Sequence, residues 1–357
     1  MSSYALFRLP RQQYCTLVEQ HSDEPQHLRS VADIGEQEGF VLAPFHSDDT
    51  HPILLLKPER VIQLSLNDEA GIMSLADRLD NNVEKHAEPA DDSAEGEQAY
   101  AADFSVFHQA LTGRRFRKLV LARRADIAND GSSTPQQLFL QACRRYPRMF
   151  VALVSTPQSG TWLAATPEIL LEGTDGTWRT IALAGTMRLT DGELDGEGEH
   201  KAWDVKDIQE QRIVASYIAD TLKRQGIEYT EDGPHTVRAA HLVHLRSDFT
   251  FRMDNNRVGQ LLEALHPTPA VCGLPKDAAM QFILANEHTR RSYYCGFMGP
   301  VNMLPTGSCL YVSLRCMQIK ARSYRLFAGG GLLPESDCRK EWNETEAKME
   351  TMLNLIS

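Results

Sequence analysis

Apolar positions in this chain recur in short runs. YALFRLP, GFVLAPF and HPILLLKPERVIQLSL are bounded by turn residues, and the last resembles a paired set of strands. From residue 101 the pattern tightens. DFSVFHQALTG puts Phe104, Phe107, Ala110 and Leu111 on one side of a helix that Gly113 stops. RKLVLARRADI, with Leu119, Leu121 and Ala125 alternating with Val120, predicts a strand inside a sheet. TPQQLFLQACRRYP predicts a helix, RMFVALVS a buried strand, and TWLAATPEILLEG a strand pair joined at Thr166–Pro167. TWRTIALAGTMRL predicts a strand ending in Gly185–Thr186. EHKAWDVKDIQEQRIVASYIADTLKRQG predicts the longest helix, its apolar stripe drawn from Val205, Ile208, Ile213, Val214, Tyr217, Ile218 and Leu222. Further strands are expected around 236–252, 291–304, 307–320 and 322–331. Strands mostly adjacent in sequence, with helices between groups, predict an α+β fold of large antiparallel sheets rather than a doubly wound one.

The same pass divides the chain into three. Residues 1–83 read as a variable N-terminal lobe contributing strands. Residues 84–100, acidic and poor in apolar side chains, read as a linker or mobile loop, and 101–357 as the catalytic region. His46 and His51 flank SDDT, but their spacing is irregular and fits an exposed polar loop better than a metal site. With 357 residues, 42% of them hydrophobic, a large core is available. A net charge of −11 with no basic stripe argues against a nucleic-acid binder, while a small anionic substrate needs only local cations. The seven cysteines include no CxxC pair, so a thiolate zinc site is not expected. No apolar run approaches membrane-spanning length and no signal core opens the chain, so the sequence reads as that of a soluble, cytoplasmic protein.

Candidate chemistry gathers in FAGGGLLPESDCRKEWNETEAK, residues 327–348. Gly329, Gly330 and Gly331 read as a turn letting backbone approach a ligand, followed by Pro334, Ser336 and Asp337 before a helix. On that helix Glu341, Glu344 and Lys348 fall at i, i+3 and i+7, one face. Two carboxylates there suit a hard cation, and the lysine adds an anion hook.

Eight segments carry a resemblance. KLVLARR, TPEILLEG, ALAGT, KDIQEQ, LHPTPAVCGLPK, RRSYYCGFMG, SLRC and FAGGG…EWNETEAK occur in the order seen in the chorismate-utilising enzymes. That family includes isochorismate synthases, salicylate synthases and the large subunits of anthranilate and aminodeoxychorismate synthases. The resemblance covers roughly residues 100–357, and LHPTPAVCG looks like the isochorismate synthase version. It implies a two-lobed α/β sandwich with helices packed outside and the site between two antiparallel sheets. It also implies Mg²⁺-dependent conversion of chorismate to isochorismate, with water added at ring carbon 2 and hydroxyl lost from carbon 4, for menaquinone or siderophore synthesis. Salicylate synthase is the alternative, or an amine-forming synthase component I.

Roles follow from the same resemblance. Lys118 matches the base; as a free lysine it would be protonated at neutral pH, so burial or neighbouring cations must depress its pKa. Glu168 matches the general acid, which an apolar pocket must hold protonated. Glu210 and Glu344 match Mg²⁺ ligands, with Glu341 expected nearby. Arg315 and Tyr294 match the pair that binds the enolpyruvyl carboxylate; Gly329 and Lys348 fit that job or the ring-carboxylate side. His244 matches a histidine near the ring hydroxyl, and Gly185 and Thr186 shape the wall near the ring. Ala270 stands where salicylate-forming relatives tend to have Thr, which favours stopping at isochorismate. Lys118 in a water-activating position weighs against a glutaminase partner. Two departures stand out. Gln211 follows Glu210 where many relatives have His, and FAGGG replaces the commoner alternation of Ala and Gly.

Overall fold

A computed structural model describes residues 3–22, 24–75, 79, 96–188, 203–239, 242–303 and 307–356. Most of the expected linker lies outside these, but its last four residues already belong to a helix. Two nine-stranded antiparallel sheets face each other, the mixed α+β architecture expected.

The chain repeatedly changes sheet. β1 (Ser3–Arg8) and β2 (Tyr14–Gln20) open the first sheet as a hairpin. β3 (Gln26–Leu28), β4 (Gly39–Ala43) and β5 (Ile53–Leu56) join the second, and β6 (Arg60–Ser65) returns to pair with β2. Thus HPILLLKPERVIQLSL is not a strand pair; its halves lie in different sheets. Helices α1 (Glu69–Met73) and α2 (Glu97–Thr112) precede β7 (Lys118–Ala128). After α3 (Pro135–Arg145), β8 (Phe150–Thr156) and β9 (Gly160–Thr166) pair in the first sheet. β10 (Ile169–Thr174) and β11 (Thr177–Arg188) then pair in the second. Helix α4 (Val205–Arg224) leads to β12 (Tyr229–Ala239) and β13 (Leu242–Arg252), also in the second. α5 (Val258–Leu265), β14 (Gly273–Leu274) on the first sheet's edge and α6 (Lys276–Asn286) follow. β15 (Phe297–Val301) and β16 (Ser308–Val312) complete the second sheet; β17 (Cys316–Ile319) and β18 (Ser323–Leu332) complete the first, before α7 (Cys338–Ile356).

Period-2 alternation explains the two cores. On β1, Ala5 and Phe7 point between the sheets while Tyr4 and Leu6 point outward; on β8, Phe150, Ala152 and Val154 face in while Val151 and Leu153 face out. The outward set packs under α3 (Leu138, Phe139) and α7 (Met349, Met352, Leu355). Strands covered on both faces cannot show alternation in polarity, which is why RMFVALVS reads as one apolar run.

The stripe on α4 is shorter than expected. Val214, Ile218 and Leu222 are buried, but Val205 and Ile208 are 70% and 44% exposed. Carried back at 100° per residue, the buried face passes through Gln211, Glu210 and Asp207, leaving Val205 on the opposite side. Polar groups therefore occupy the inward face of the first turns.

Candidate active site

Two sheet changes lie side by side. The chain leaves β9 for β10 at Pro167–Glu168, and leaves β16 for β17 at 313–315. The amide of Ala165 donates to the Arg315 carbonyl (2.8 Å), that of Val312 to the Glu168 carbonyl (2.9 Å), and the Thr166 hydroxyl to the Val312 carbonyl (2.7 Å). TWLAATPEILLEG gives two strands with the junction where expected, but in different sheets, and the strand expected around 307–320 is likewise divided between the two sheets. Each break turns one side chain, Glu168 or Arg315, into the space between the sheets.

Glu168 is fully buried, and burial pushes its carboxyl up to about 8 despite the opposing pull of Lys118, Arg315 and Lys348. It is a protonated acid at neutral pH. Lys118, first residue of β7, is also fully buried, with Nζ 2.9 Å from Glu210 Oε1. The expected burial is present, but the neighbour is an anion rather than a cation. The pair lacks hydrogen-bond angles, so Nζ keeps donors to spare.

Arg315 donates from Nη2 to His244 Nε2 (3.2 Å), while His244 Nδ1 lies 2.9 Å from the Gly185 carbonyl. That pattern places the imidazole proton on Nδ1. Burial, with Arg315 second, lowers His244 to about 3, so it stays neutral. Gly185 has φ +73 at a bulge between Ala184 and Met187, which brings Thr186 toward His244 Nδ1 (Oγ1 3.4 Å). Tyr294 is buried and stacks on Phe327, centroids 5.3 Å apart.

The three glycines are not a turn. They lie within β18, Gly329 opposite Ala122, Gly330 opposite Leu121 and Gly331 opposite Val120. The space above them explains the missing side chains. A Cβ on Gly329 would meet the Tyr294 hydroxyl at 2.9 Å, and one on Gly330 would meet Glu341 Oε2 at 3.1 Å. On Gly331 it would overlap Glu210 Oε1 and lie 2.6 Å from Lys118 Cε. Gly329 offers its carbonyl, which accepts from Lys348 Nζ (2.8 Å).

Carboxylates from α4 and α7 meet over this strand. Lys348 pairs with Glu344 (2.6 Å) and Lys206 with Glu341. Burial opposes the charge on Glu344, but Lys348 and Lys206 outweigh it and hold the group low. Burial and the adjacent Glu344 push Glu341 up to about 7, and its Oε2 is buried without a hydrogen-bond partner. Burial, Glu210 and Glu344 raise Asp207 to about 6. Crowded carboxylates with an orphaned oxygen fit a hard divalent cation. Among the described residues no three His, Cys, Asp or Glu side chains form a group that could hold a metal ion by themselves.

Glu168, Gly185, Thr186, Glu210, His244, Ala270, Tyr294, Arg315, Gly329 and Lys348 all line one cavity. Lys118 reaches it through Glu210, while Glu341 and Glu344 lie beside Gly330, outside its lining. Its open space is only about 40 Å³, against 690 Å³ in a surface groove beside α4 to α6; chemistry rather than size identifies the site. Sequence reasoning missed Lys206 and Asp207. The signal was their position four and three residues before Glu210, one helical turn away. Gln211 is fully buried and donates from Nε2 to Ser247 Oγ (2.8 Å), tying α4 to β13.

A family model described as chorismate binding enzyme matches residues 54–357, further toward the N-terminus than the eight segments reach. The chain is 31% identical over 280 residues to isochorismate synthase EntC of Escherichia coli K12, covering 77% of this chain and 70% of the relative. A 2,3-dihydroxybenzoate-specific isochorismate synthase structure, DhbC from Bacillus anthracis, superposes with TM-score 0.79 at 21% identity, covering 99% of this chain and 96% of that one. The menaquinone-specific isochorismate synthase MenF from Escherichia coli superposes with TM-score 0.78 at 21% identity, covering 99% and 89%.

Proposed function

The chain belongs to the chorismate-binding enzyme family, and within it we propose an isochorismate synthase, an isomerase acting on chorismate. The observation that carries the reading is a fully buried carboxyl, Glu168, protonated at neutral pH, in one cavity with the carboxylate-binding Arg315 and beside the buried amine of Lys118. Lys118 takes a proton from the water that attacks ring carbon 2. Glu168 gives one to the hydroxyl leaving carbon 4, which departs as water while the ring double bonds shift. One water enters and one leaves, so the product is an isomer. Arg315, with Tyr294, holds the enolpyruvyl carboxylate; neutral His244 fixes the guanidinium without adding charge.

Glu210, Glu344 and Glu341 would hold Mg²⁺, which when bound neutralises charge on the ring carboxylate. Ala270, with no hydroxyl, favours release of isochorismate over elimination of pyruvate. Relatives named for menaquinone and for 2,3-dihydroxybenzoate make a quinone or a catechol siderophore the end of the route. A lysine placed to activate water argues that the chain works without a glutaminase. No helix of the described residues is long and apolar enough to cross a membrane.

The test is purified protein with chorismate and Mg²⁺ near pH 7.5, with isochorismate, salicylate and pyruvate resolved. Isochorismate as main product is expected; dominant salicylate would promote the salicylate synthase reading, and turnover only with ammonia would promote an amine-forming one.

A further inference from the structure

We propose that an arginine-lined groove beside the catalytic cavity is an outer capture site for small dicarboxylates, from which the substrate dianion passes inward. The inference rests on the functional reading above for the identity of that dianion.

The groove, about 530 Å³, lies between the β1–β2 turn of the first sheet and strands β11 to β13 of the second. Arg11, Arg148, Arg179, Arg238 and Arg246 line it. In a chain of net charge −11, five guanidinium groups around one hollow are a local reversal of sign. Three of them are already engaged: Arg179 pairs with Glu172 and Asp248, Arg246 donates from Nε to Asp248 (2.8 Å), and Arg238 also has a partner. Arg11 and Arg148 are exposed and form no ion pair or side-chain hydrogen bond among the described residues.

Backbone, not acidic partners, holds those two together. The amide of Arg11, in a turn with φ +66, donates to the Pro147 carbonyl (2.7 Å). The buried guanidinium of Arg8 clamps the same loop, bonding the carbonyls of Pro147 (2.6 Å) and Tyr146 (2.7 Å). Arg11 and Arg148 therefore sit on a fixed frame with their charges uncompensated, the arrangement that binds an anion rather than one that stabilises the fold.

Position gives the groove its use. Pro167 and Leu183 line both the groove and the catalytic cavity, and Pro167 directly precedes Glu168. The groove and the catalytic cavity thus share a wall formed by Pro167 and Leu183. Fields focused between low-dielectric walls raise association rates of charged ligands by roughly 10- to 1,000-fold.

The test follows chorismate association with the full chain in the presence of Mg²⁺, by stopped-flow tryptophan fluorescence before the first turnover, at varied ionic strength. Arg11→Gln/Arg148→Gln should slow association about tenfold at ~0.01 M salt, where charges act over ~30 Å, and less than twofold at ~1 M, where they act over ~3 Å. The paired Arg→Lys substitutions should restore most of the rate, since charge rather than a bidentate fork is required. Association unchanged at low salt, or slowed equally at high salt, would overturn the assignment. Failure of the parent to convert chorismate in the product assay would instead count against the functional reading.

Discussion

Replacing Glu168 by glutamine keeps the shape of the protonated acid and removes its ability to ionise. In the folded protein burial lifts this carboxyl from 4.5 to about 8. Between those values the folded state binds more protons than the unfolded state, so the parent loses stability as pH rises from 4.5 toward 8. At ~1.4 kcal/mol per pKa unit, the penalty is under about 1 kcal/mol at pH 5, about 3 at pH 7 and about 5 above pH 8. Glutamine carries none of it. The variant should therefore match the parent at pH 5 and exceed it by about 3 kcal/mol at pH 7.

Urea unfolding of both proteins at pH 5, 6, 7 and 8 reads the difference directly, because all other titrations cancel. Isochorismate formation should fall ~10²-fold or more in kcat with far less change in KM. In the parent, kcat should decline above pH 8 as the donor ionises. Parallel stability curves, or a variant weaker than the parent at pH 7, would refute the buried, protonated acid. A gain in stability with a loss of turnover is what a group placed for chemistry rather than folding must give.

Gly331→Ala drives a methyl into Glu210 and Lys118; turnover should fall at least tenfold while far-UV circular dichroism stays unchanged, and a fully active variant would show that the strand can yield. Glu344→Ala should abolish Mg²⁺ binding by titration calorimetry, and undiminished activity of the chelator-treated parent would remove the metal altogether. Ala270→Thr should raise the salicylate fraction in a product time course, at some loss of rate because the added group crowds a packed wall; an unchanged product ratio would show that this position does not decide where the reaction stops.

That most of the named residues would gather in one place was legible in sequence; the geometry of that place was not. Ordered segments such as KLVLARR and TPEILLEG bring Lys118 and Glu168 to notice, and helical spacing alone puts Glu341, Glu344 and Lys348 on one face. Pro167 marked the first junction, but that the chain changes sheet there and at 313–315 was not legible, because a buried strand looks the same in either sheet. Glycine in FAGGG read as a turn because local propensity favours turns; tertiary demand for space above a strand overrides it. The false extension of the α4 stripe to Val205 has the reverse cause. Polar side chains took the inward positions, and the apolar residues left outside mimicked a longer core face.

Charge balance in the cavity ties these features together. Three lysines meet three carboxylates one to one: Lys206 with Glu341, Lys348 with Glu344, and, with Glu210, Lys118, whose proposed work as a base needs its unprotonated form. Ion pairs so buried cost about as much in desolvation as they return, so they are not there for stability. Beside them stand one further cation, Arg315, one further carboxylate, Asp207, and one neutral acid, Glu168. A dicarboxylate entering alone would add two negative charges in a place where an uncompensated charge is expensive. The same dianion accompanied by a divalent cation adds no net charge. The lysines keep the carboxylates folded and close without closing the site to a metal, since Lys206 remains partly exposed and can withdraw to solvent. An acidic chain can hold a pocket for an anion because each of these acids is already answered, and only the substrate's own charge is left to match.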